Sequence, residues 1–365
     1  MSNPKAAYSQ AGVDSASEEE ALRGIGAWAE KTFALRRGLG EVKLPLGVFA
    51  NVVALDEKTG LAISTDGVGT KVLVAQMAGR YDTVGIDLVA MNANDVLCVG
   101  AEPLAMVDYI GVEKIEAWAI EEIGKGLYAG CEQAKITLPG GEIAQVRDLV
   151  RGAGTGYTFD LVGTCVGVVP LDRIIVGQLA APGDVVLGLE SSGLHSNGYT
   201  LARRVLLERA GLRLEEQVDE LGRTLAEELL EPTRIYVREV MEILRSGIEV
   251  KALIHVTGDG LLNLARVQAA VGFEITWLPE PKPIFKLIQR LGEVPEEEMY
   301  AVFNMGIGFC VVVPGDEGQV ARVGEIAARH GTACHRIGRV VADEQGRVFI
   351  KPKNLIGIGD RFIKG

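Results

Sequence analysis

The chain has 365 residues, of which 48% are hydrophobic and 24% are charged, with 46 glycines and a formal net charge of −12. This length favours two domains, each with its own apolar core, and the composition excludes a disordered or fibrous chain. The acidic balance argues against a nucleic acid or an anionic membrane as partner, because those surfaces attract clustered Lys and Arg.

The cysteine content and the N-terminal sequence both indicate the cellular compartment of the protein. The five cysteines are odd in number and scattered, which favours buried reduced thiols over a disulfide framework. The first twenty residues lack the basic and apolar segments of a signal peptide, and no stretch reaches the length of a membrane span. We therefore expect a cytoplasmic protein.

The N-terminal region is polar and acidic at first and then becomes periodic. Residues 1–20 predict a mobile arm, and Glu20 to Ala34 predicts a helix that packs on the first sheet through one apolar side, formed by Leu22, Ile25, Trp28 and Ala29. Gly38 to Val53 then predicts a connecting loop or hairpin.

The most informative stretch begins at Leu61. Leu61 to Ser64 predicts a short buried strand that leads to Asp66, after which Gly67 and Gly69 permit a tight turn before a helix that begins near Thr70. Such a loop brings bare amide groups to a phosphate, and Lys71 adds a mobile positive charge.

A second helix is predicted from Thr83 to Val99. At about 100° per residue, Asp87, Asn94 and Asp95 fall on one side of it. Together with Asp66, these oxygen donors are suited to Mg²⁺ and a metal-bound triphosphate. The alternative is structural, with Asp66 as a helix cap and the helix acids facing solvent.

The same stretch carries a family resemblance. DGVGTK, GIDLVAM, ND and GAEPL, which lie in this order between residues 66 and 104, resemble the motifs of the aminoimidazole ribonucleotide synthetase family, also called phosphoribosylformylglycinamidine cyclo-ligases. YSQAGVD at residues 8–14 resembles the start of its members. The resemblance implies a two-domain α/β (α+β) PurM-like fold, in which the N-terminal sheets of two chains form a shared barrel in a homodimer and the C-terminal domain is α/β.

The rest of the first domain departs from the family at one place. Ile115 to Ala134 predicts a helix and Ile136 to Leu138 a short strand, followed by a Gly-Gly-Glu sequence that resembles the family's and makes Glu142 a candidate catalytic group. Gln145 stands where the family has a second Glu, and it lacks the charge of a base or a full-strength metal ligand. Phe159 to Val169 predicts a buried strand.

A turn at Pro182 and Gly183 predicts the start of the second domain. A strand from Val185 to Leu189 leads into SSGLHSNGY and a helix from Gly198 to Ala210. The loop resembles a family motif and is suited to an anion at a helix start. The resemblance assigns substrate binding to Ser191, Ser192, Gly193, His195, Ser196 and Asn197. His195 either donates a hydrogen bond or shuttles a proton, or it fixes the loop.

Two further motifs lie in the second domain. EPTRIY at residues 231–236 predicts the start of a helix with Pro232 at an early position, and it matches a family segment. HVTGDG at residues 255–260 resembles the family's HITGGG, and its Asp259 predicts either a helix cap or an extra cation ligand.

Four divisions follow: an arm at 1–20, an ATP-binding and dimerisation domain at 21–170, a C-terminal domain at 171–345 and a tail without a core at 346–365. Within the C-terminal domain, helices are predicted at Pro283 to Leu291 and Gln319 to His330, and a strand at Cys334 to Val341.

The resemblance implies ATP-dependent cyclisation of formylglycinamidine ribonucleotide, a small-molecule substrate, with Mg²⁺. Catalysis is assigned to Asp66, Lys71, Glu142 and His195, and metal binding to Asp66, Asp87, Asn94 and Asp95. Nucleotide binding is assigned to those four together with Gly67, Gly69, Thr70 and Lys71. Two alternatives stay open: a divergent enzyme that activates another amide or carboxylate with ATP, and a nucleotide-binding paralogue without turnover.

Overall fold

The structure is a computed structural model that describes residues 15–152 and 154–365, so most of the predicted arm lies outside the described residues. Helix α1 spans Ser15–Phe33. Leu22, Ile25 and Trp28 on its apolar side are 62%, 68% and 70% exposed. The prediction that this side packs on the first sheet is therefore wrong for a single chain.

The first sheet has five strands in the order β1-β2-β5-β3-β4. All neighbours are antiparallel except β3 and β4, which are parallel. The predicted short strand at residues 136–138 is longer and includes the Gly-Gly-Glu sequence. The strands are Asn51–Ala54, Thr59–Gly67, Glu102–Val112, Thr137–Gln145 and Phe159–Pro170 for β1 to β5.

Three helices lie over one face of this sheet: α2 at Lys71–Ala78, α3 at Val84–Leu97 and α4 at Ala117–Ala134. The helix α3 is almost wholly buried because the sheet lies on one side of it and the second domain on the other. Glycines at positions 85 and 126 let α3 and α4 approach closely, since a Cβ at either one would collide with backbone atoms.

The opposite face of the first sheet is uncovered in the single chain and carries apolar side chains. Five of these side chains are between 37% and 45% exposed: Ile63, Leu104, Val107, Tyr109 and Leu138. A contiguous apolar face of this kind is a candidate for a protein interface.

The second sheet has eight strands in the order β15-β14-β13-β10-β12-β6-β11-β9. Strands β9 and β11 are buried along their whole length, and β6 along all but its last residue, which requires cover on both faces. The strands are Val185–Glu190 (β6), Ala252–His255 (β9), Gly272–Ile275 (β10), Ile307–Val313 (β11), Cys334–Val341 (β12), Val348–Ile350 (β13), Leu355–Ile358 (β14) and Arg361–Lys364 (β15). A separate pair joins β7 (Gln217–Val218) to β8 (Arg223–Thr224).

The helices of the second domain are α5 (Tyr199–Arg203), α6 (Leu225–Leu229), α7 (Val237–Arg245), α8 (Pro283–Gly292), α9 (Glu296–Val302) and α10 (Glu317–Arg329). The predicted helix from Gly198 to Ala210 is divided, because α5 continues as a π-helix at Arg204–Arg209. The described part of the chain contains no helix with the length and apolarity to cross a membrane.

The C-terminal residues differ from the predicted tail without a core. Strand β13 pairs with β10, β14 pairs with β13, and β15 closes that edge. Leu355 and Phe362 are buried by this pairing. Residues 348–364 are therefore part of the second domain.

Candidate functional site between the two domains

The polar side of α3 faces the second domain, and Asp87 is its most connected residue. One carboxylate oxygen, Oδ1, accepts from Lys71 Nζ at 2.8 Å and from both the amide and the hydroxyl of Thr233 at 2.7 Å. Ser196 Oγ donates to the same oxygen at 3.2 Å. Asp87 is fully buried, so the charge is neutralised by donors from both domains.

Lys71 is fixed in this junction. Its ammonium donates to Asp87 and to the carbonyl oxygens of His195 and Glu231, at 3.1 and 2.7 Å, and the side chain is completely buried. Burial lowers the pKa of the Lys71 ammonium, and the charge of Asp87 offsets part of that effect. The sequence predicted a mobile charge for phosphates, whereas the structure places a fixed contact between the domains.

Asn94 makes the next contact along α3. Its Nδ2 donates to the carbonyl oxygen of Arg234 at 3.0 Å, and its Oδ1 accepts from the amide of Tyr236 at 3.0 Å. These bonds hold the non-helical segment at residues 231–236, and α7 begins only at Val237. The predicted helix start at Pro232 is therefore wrong.

A second polar centre is formed by Asp66 at the end of β2 and Asp95 on α3. Burial, and then the charge of Asp95, raises the pKa of Asp66 to about 6, although the amide of Gly67 donates to its Oδ1 at 2.7 Å. Asn92 bonds both the amide and the carbonyl of Asp66, at 3.0 and 3.2 Å, and so fixes the backbone there.

His255 completes this centre from the second domain. Its Nδ1 lies 2.8 Å from Asp95 Oδ1, and Asn94 Nδ2 lies 3.4 Å from its Nε2. Since Asn94 Nδ2 is a donor, we assign the ring proton to Nδ1, where it is donated to Asp95. Sequence reasoning missed His255, although its HVTGDG motif was recognised. Asp259 of that motif pairs with Arg266 at 2.9 Å and makes no side-chain cap bond.

The four predicted metal ligands do not converge. Asp95 acts on Asp66 through its charge and is bonded to His255, whereas Asp87 and Asn94 bind residues 233–236 of the second domain. Within residues 15–152 and 154–365, no group of three or more His, Cys, Asp or Glu side chains has the arrangement of a metal site. The Asp66 and Asp95 carboxylates nevertheless fit Mg²⁺, because that ion keeps several waters and is bound through one or two carboxylates plus phosphate oxygens.

Glu142 lies on the other face of the first sheet. Asp66, Gly163, Asp108 and Gly141 are directly paired across four strands and so point to the helix-covered face. Glu142 follows Gly141 and points to the uncovered face, where it is exposed. A single chain therefore does not bring Glu142 to the Asp66–Asp95 centre.

The loop at residues 191–197 is held by buried side chains. Ser191 Oγ donates to Asn304 Oδ1 at 2.8 Å, and Asn304 Nδ2 donates to the carbonyl of Gly193 at 2.9 Å. Ser192 Oγ donates to the carbonyl of Pro232 at 2.5 Å. Ser196 binds Asp87, and Asn197 is half-buried.

His195 adopts a left-handed backbone conformation, with φ +63°, and is 1% exposed. The amide of Ser192 donates to its Nε2 at 3.2 Å, and its Nδ1 has no hydrogen-bond partner among the described residues. Burial, and then the charge of His255, holds the pKa of His195 well below its usual range. A neutral, buried ring fits the role of fixing the loop better than that of a proton shuttle.

The predicted phosphate loop has a defined geometry. Gly69 has φ +68°, which requires glycine for an unstrained turn. The amide of Gly67 is occupied by Asp66, and the hydroxyl of Thr70 lies 3.1 Å from that of Thr200. Thr70 and Thr200 therefore join the start of α2 to the start of α5 across the domain junction.

Comparison with known sequences places these features in a family. The AIR synthase related protein N-terminal domain matches residues 47–169, and the corresponding C-terminal domain matches residues 181–351. A phosphoribosylformylglycinamidine cyclo-ligase of Methanocaldococcus jannaschii is 46% identical over 335 residues, which cover 92% of each chain. One of Thermococcus kodakarensis is 47% identical over 342 residues, which cover 93% of this chain and 97% of that protein.

Solved structures share the fold at lower identity. AaThiL complexed with AMPPCP and TMP is 20% identical with a TM-score of 0.60, covering 94% of this chain and 97% of that one. Hydrogenase maturation protein HypE in complex with ATP is 18% identical with a TM-score of 0.57, covering 80% and 82%. These structural similarities show the two-domain fold. The sequence matches show in addition that the chain belongs to the AIR synthase family, together with curated phosphoribosylformylglycinamidine cyclo-ligases.

Proposed function

We propose that this protein uses ATP to close formylglycinamidine ribonucleotide into aminoimidazole ribonucleotide in purine biosynthesis. The observation that carries the proposal is the Asp66–Asp95 pair beside the Gly67–Lys71 loop, in a chain closely similar to curated cyclo-ligases. ATP activates the formyl-derived amide oxygen, a substrate nitrogen attacks the activated carbon, and phosphate leaves. Such a reaction requires positioning and charge neutralisation and no nucleophilic side chain.

In this proposal Asp66 and Asp95 hold Mg²⁺, which supplies the positive charge that triphosphate requires. His255 orients Asp95 through Nδ1, and Asn92 fixes the backbone of Asp66. Lys71 acts as a positioning group, because its ammonium is bound to Asp87 and to two carbonyl oxygens. HypE in complex with ATP, which shares the fold, supports ATP as the nucleotide.

The assay follows ADP and the aminoimidazole product with ATP and Mg²⁺, with and without formylglycinamidine ribonucleotide. ADP and imidazole that both depend on the substrate are the expected result. ADP without imidazole would favour the divergent enzyme, and nucleotide binding without turnover would favour the paralogue. Omission of Mg²⁺ is the control, because two facing carboxylates repel an uncompensated triphosphate.

We expect His195→Ala to raise KM for the ribonucleotide about tenfold while KM for ATP changes little. His195 holds the 191–197 loop through the amide of Ser192, and its ring makes no hydrogen bond to Asp66 or Asp95 in the described residues. Initial rates at varied concentrations of each substrate measure the two constants. His335→Ala is the matched control, since that histidine is half-buried, pairs with Glu190 at 2.8 Å and does not belong to the 191–197 loop. An equal rise in both constants would assign His195 to the nucleotide.

We further propose a cytoplasmic homodimer joined through the uncovered face of the first sheet. The apolar face defined by residues such as Val107 and Tyr109, and the exposed apolar side of α1, both require cover. Sedimentation at micromolar concentration should give a molecular mass twice the 39.0 kDa of one chain. Val107→Asp should give a folded monomer, because that side chain points outward. A monomeric wild-type protein would contradict the proposal.

A further inference from the structure

A cavity of about 480 Å³ lies between the domains, and its lining includes Ser192 of the 191–197 loop and Thr233. Ile86 and Gln133 line it from the first domain, and Arg234, Arg238 and Thr332 from the second. Its volume lies within the range of small-molecule sites, roughly 300–1,000 Å³. The cavity is therefore large enough for a ligand bigger than a single inorganic ion.

The cavity is distinct from the Asp66–Asp95 centre. Ile86 and Asp95 are both on α3 and are separated by nine residues, which corresponds to about 900° of rotation and so to opposite sides of the helix. The same nine residues span about 13.5 Å along the axis. A ligand in the cavity would face the other side of α3 from a bound metal.

Two guanidinium groups in the lining have no carboxylate partner. Arg238 donates to the carbonyl oxygens of Gln133 and Glu132, at 2.8 and 2.9 Å, and neither acceptor carries a formal charge. Arg234 reaches Thr332 Oγ1 at 3.2 Å, and its Nε is buried without any hydrogen-bond partner among the described residues. In the part of the chain that the structure describes, neither arginine forms an ion pair.

The other charged groups of the lining are already engaged. Arg329 pairs with Glu242, and Glu231 pairs with Arg223 at 2.7 Å. Glu239 is 3% exposed behind Thr332, which donates to it at 2.8 Å, and burial raises its pKa. Arg234 and Arg238 thus have no ion-pair partner in the described residues, and the buried Nε of Arg234 is a donor without an acceptor, which is costly.

We propose that this cavity binds a phosphate monoester, with the phosphate against Arg234 and Arg238 and the remainder of the molecule along Ile86. Two unpaired guanidinium charges match a dianion, and guanidinium groups bind phosphate through paired N–H donors. The ligand is either the proposed ribonucleotide substrate or a separate phosphorylated effector. The site itself is argued from the cavity and does not depend on the proposed reaction.

The test uses ribose 5-phosphate as the probe, with binding to the full-length protein measured by calorimetry. Wild-type protein should bind it at millimolar concentration or below, and Arg234→Met should weaken binding about 10- to 100-fold. Added KCl should also weaken binding. Arg336→Met is the matched control, because Arg336 is an exposed arginine of the same domain that pairs with Glu317 at 2.8 Å. If Arg234→Met does not fold, Arg234→Lys serves instead. It keeps the positive charge but lacks the paired N–H donors of a guanidinium group, so it should bind ribose 5-phosphate several-fold less tightly than wild type.

Kinetics distinguish the two sources of the phosphate monoester. A rise in KM for the ribonucleotide in parallel with the loss of ribose 5-phosphate binding assigns the cavity to the substrate. Loss of ribose 5-phosphate binding with an unchanged KM assigns it to an effector. Absence of ribose 5-phosphate binding by the wild-type protein, or equal binding by folded Arg234 variants and wild type, would overturn the proposal. Its failure would leave the cyclo-ligase assay unaffected, so the two proposals can fail separately.

Discussion

Replacing Asp66 by asparagine is expected to lower ATP turnover about 100-fold or more and to raise the stability of the metal-free protein near pH 7.5. The carboxylate faces Asp95 in a largely buried position, and both burial and that negative charge raise its pKa to about 6. A metal ion supplies several kcal/mol of charge stabilisation. Since each factor of ten in rate corresponds to about 1.36 kcal/mol, turnover should fall about 100-fold or more.

The stability change has a defined sign. The pKa of Asp66 is about 6 in the folded protein, and in the unfolded chain an aspartate has a pKa of about 3.9. Its contribution to stability is therefore fully present below about pH 4 and is lost as the pH rises through about 6. A difference of about two pKa units corresponds to about 3 kcal/mol as an upper bound, and asparagine avoids that cost.

Thermal unfolding at pH 5.0 and 7.5, with and without Mg²⁺, measures both effects. The increase in thermal stability of Asp66→Asn over wild type should be largest at pH 7.5 without metal. Mg²⁺ should stabilise the wild type more than the variant. Asp160→Asn is the control, because Asp160 is an exposed aspartate on β5 of the same sheet. Metal-dependent turnover at the wild-type rate in Asp66→Asn would remove Asp66 from the site.

Lys71→Met should have the largest effect on folding, lowering the free energy of unfolding by about 3–5 kcal/mol. The variant leaves Asp87 fully buried without its cationic partner, and it removes the donor to the carbonyl oxygens of His195 and Glu231. Denaturant unfolding of the purified variant measures the change. Adding Asp87→Asn to Lys71→Met should cost less than the sum of the two single changes, because they belong to one network.

The matched control for Lys71 is Lys125→Met on α4. That lysine also lies 2.7 Å from a carboxylate, that of Glu122, but the two side chains are 57% and 38% exposed. An exposed pair contributes little, so the change should stay within about 0.5 kcal/mol. Similar losses for Lys71→Met and Lys125→Met would show that burial of the Lys71 pair does not determine its importance.

Periodicity predicted the side of α3 that carries polar groups but not their partners. Asp87, Asn94 and Asp95 do lie on the side that faces the second domain. Asp87 binds Thr233, 146 residues further along the chain, and Asn94 binds the backbone around residue 235. No local pattern contains that information, so an expected metal cluster of four divides into a domain contact and a carboxylate pair.

Local rules failed where a distant contact outweighed them. Pro232 at an early helix position predicted a helix start, but Asp87 and Asn94 bind the backbone of residues 233–236 and α7 begins only at Val237. The strand from Cys334 to Val341 was predicted with its observed bounds, although only three of its eight residues are buried. The motif alone does not reveal the role of His255, because its partner Asp95 lies 160 residues earlier in the chain.

The pairing of β13 with β10 has a consequence for synthesis on the ribosome. β10 lies between β12 and β13, so one of its edges stays unpaired until residues 348–350 have left the exit tunnel. An exposed strand edge on a nascent chain is a template for association with other chains. A product that terminates near residue 346 would carry that edge permanently, and we expect it to be found in the insoluble fraction and in chaperone complexes.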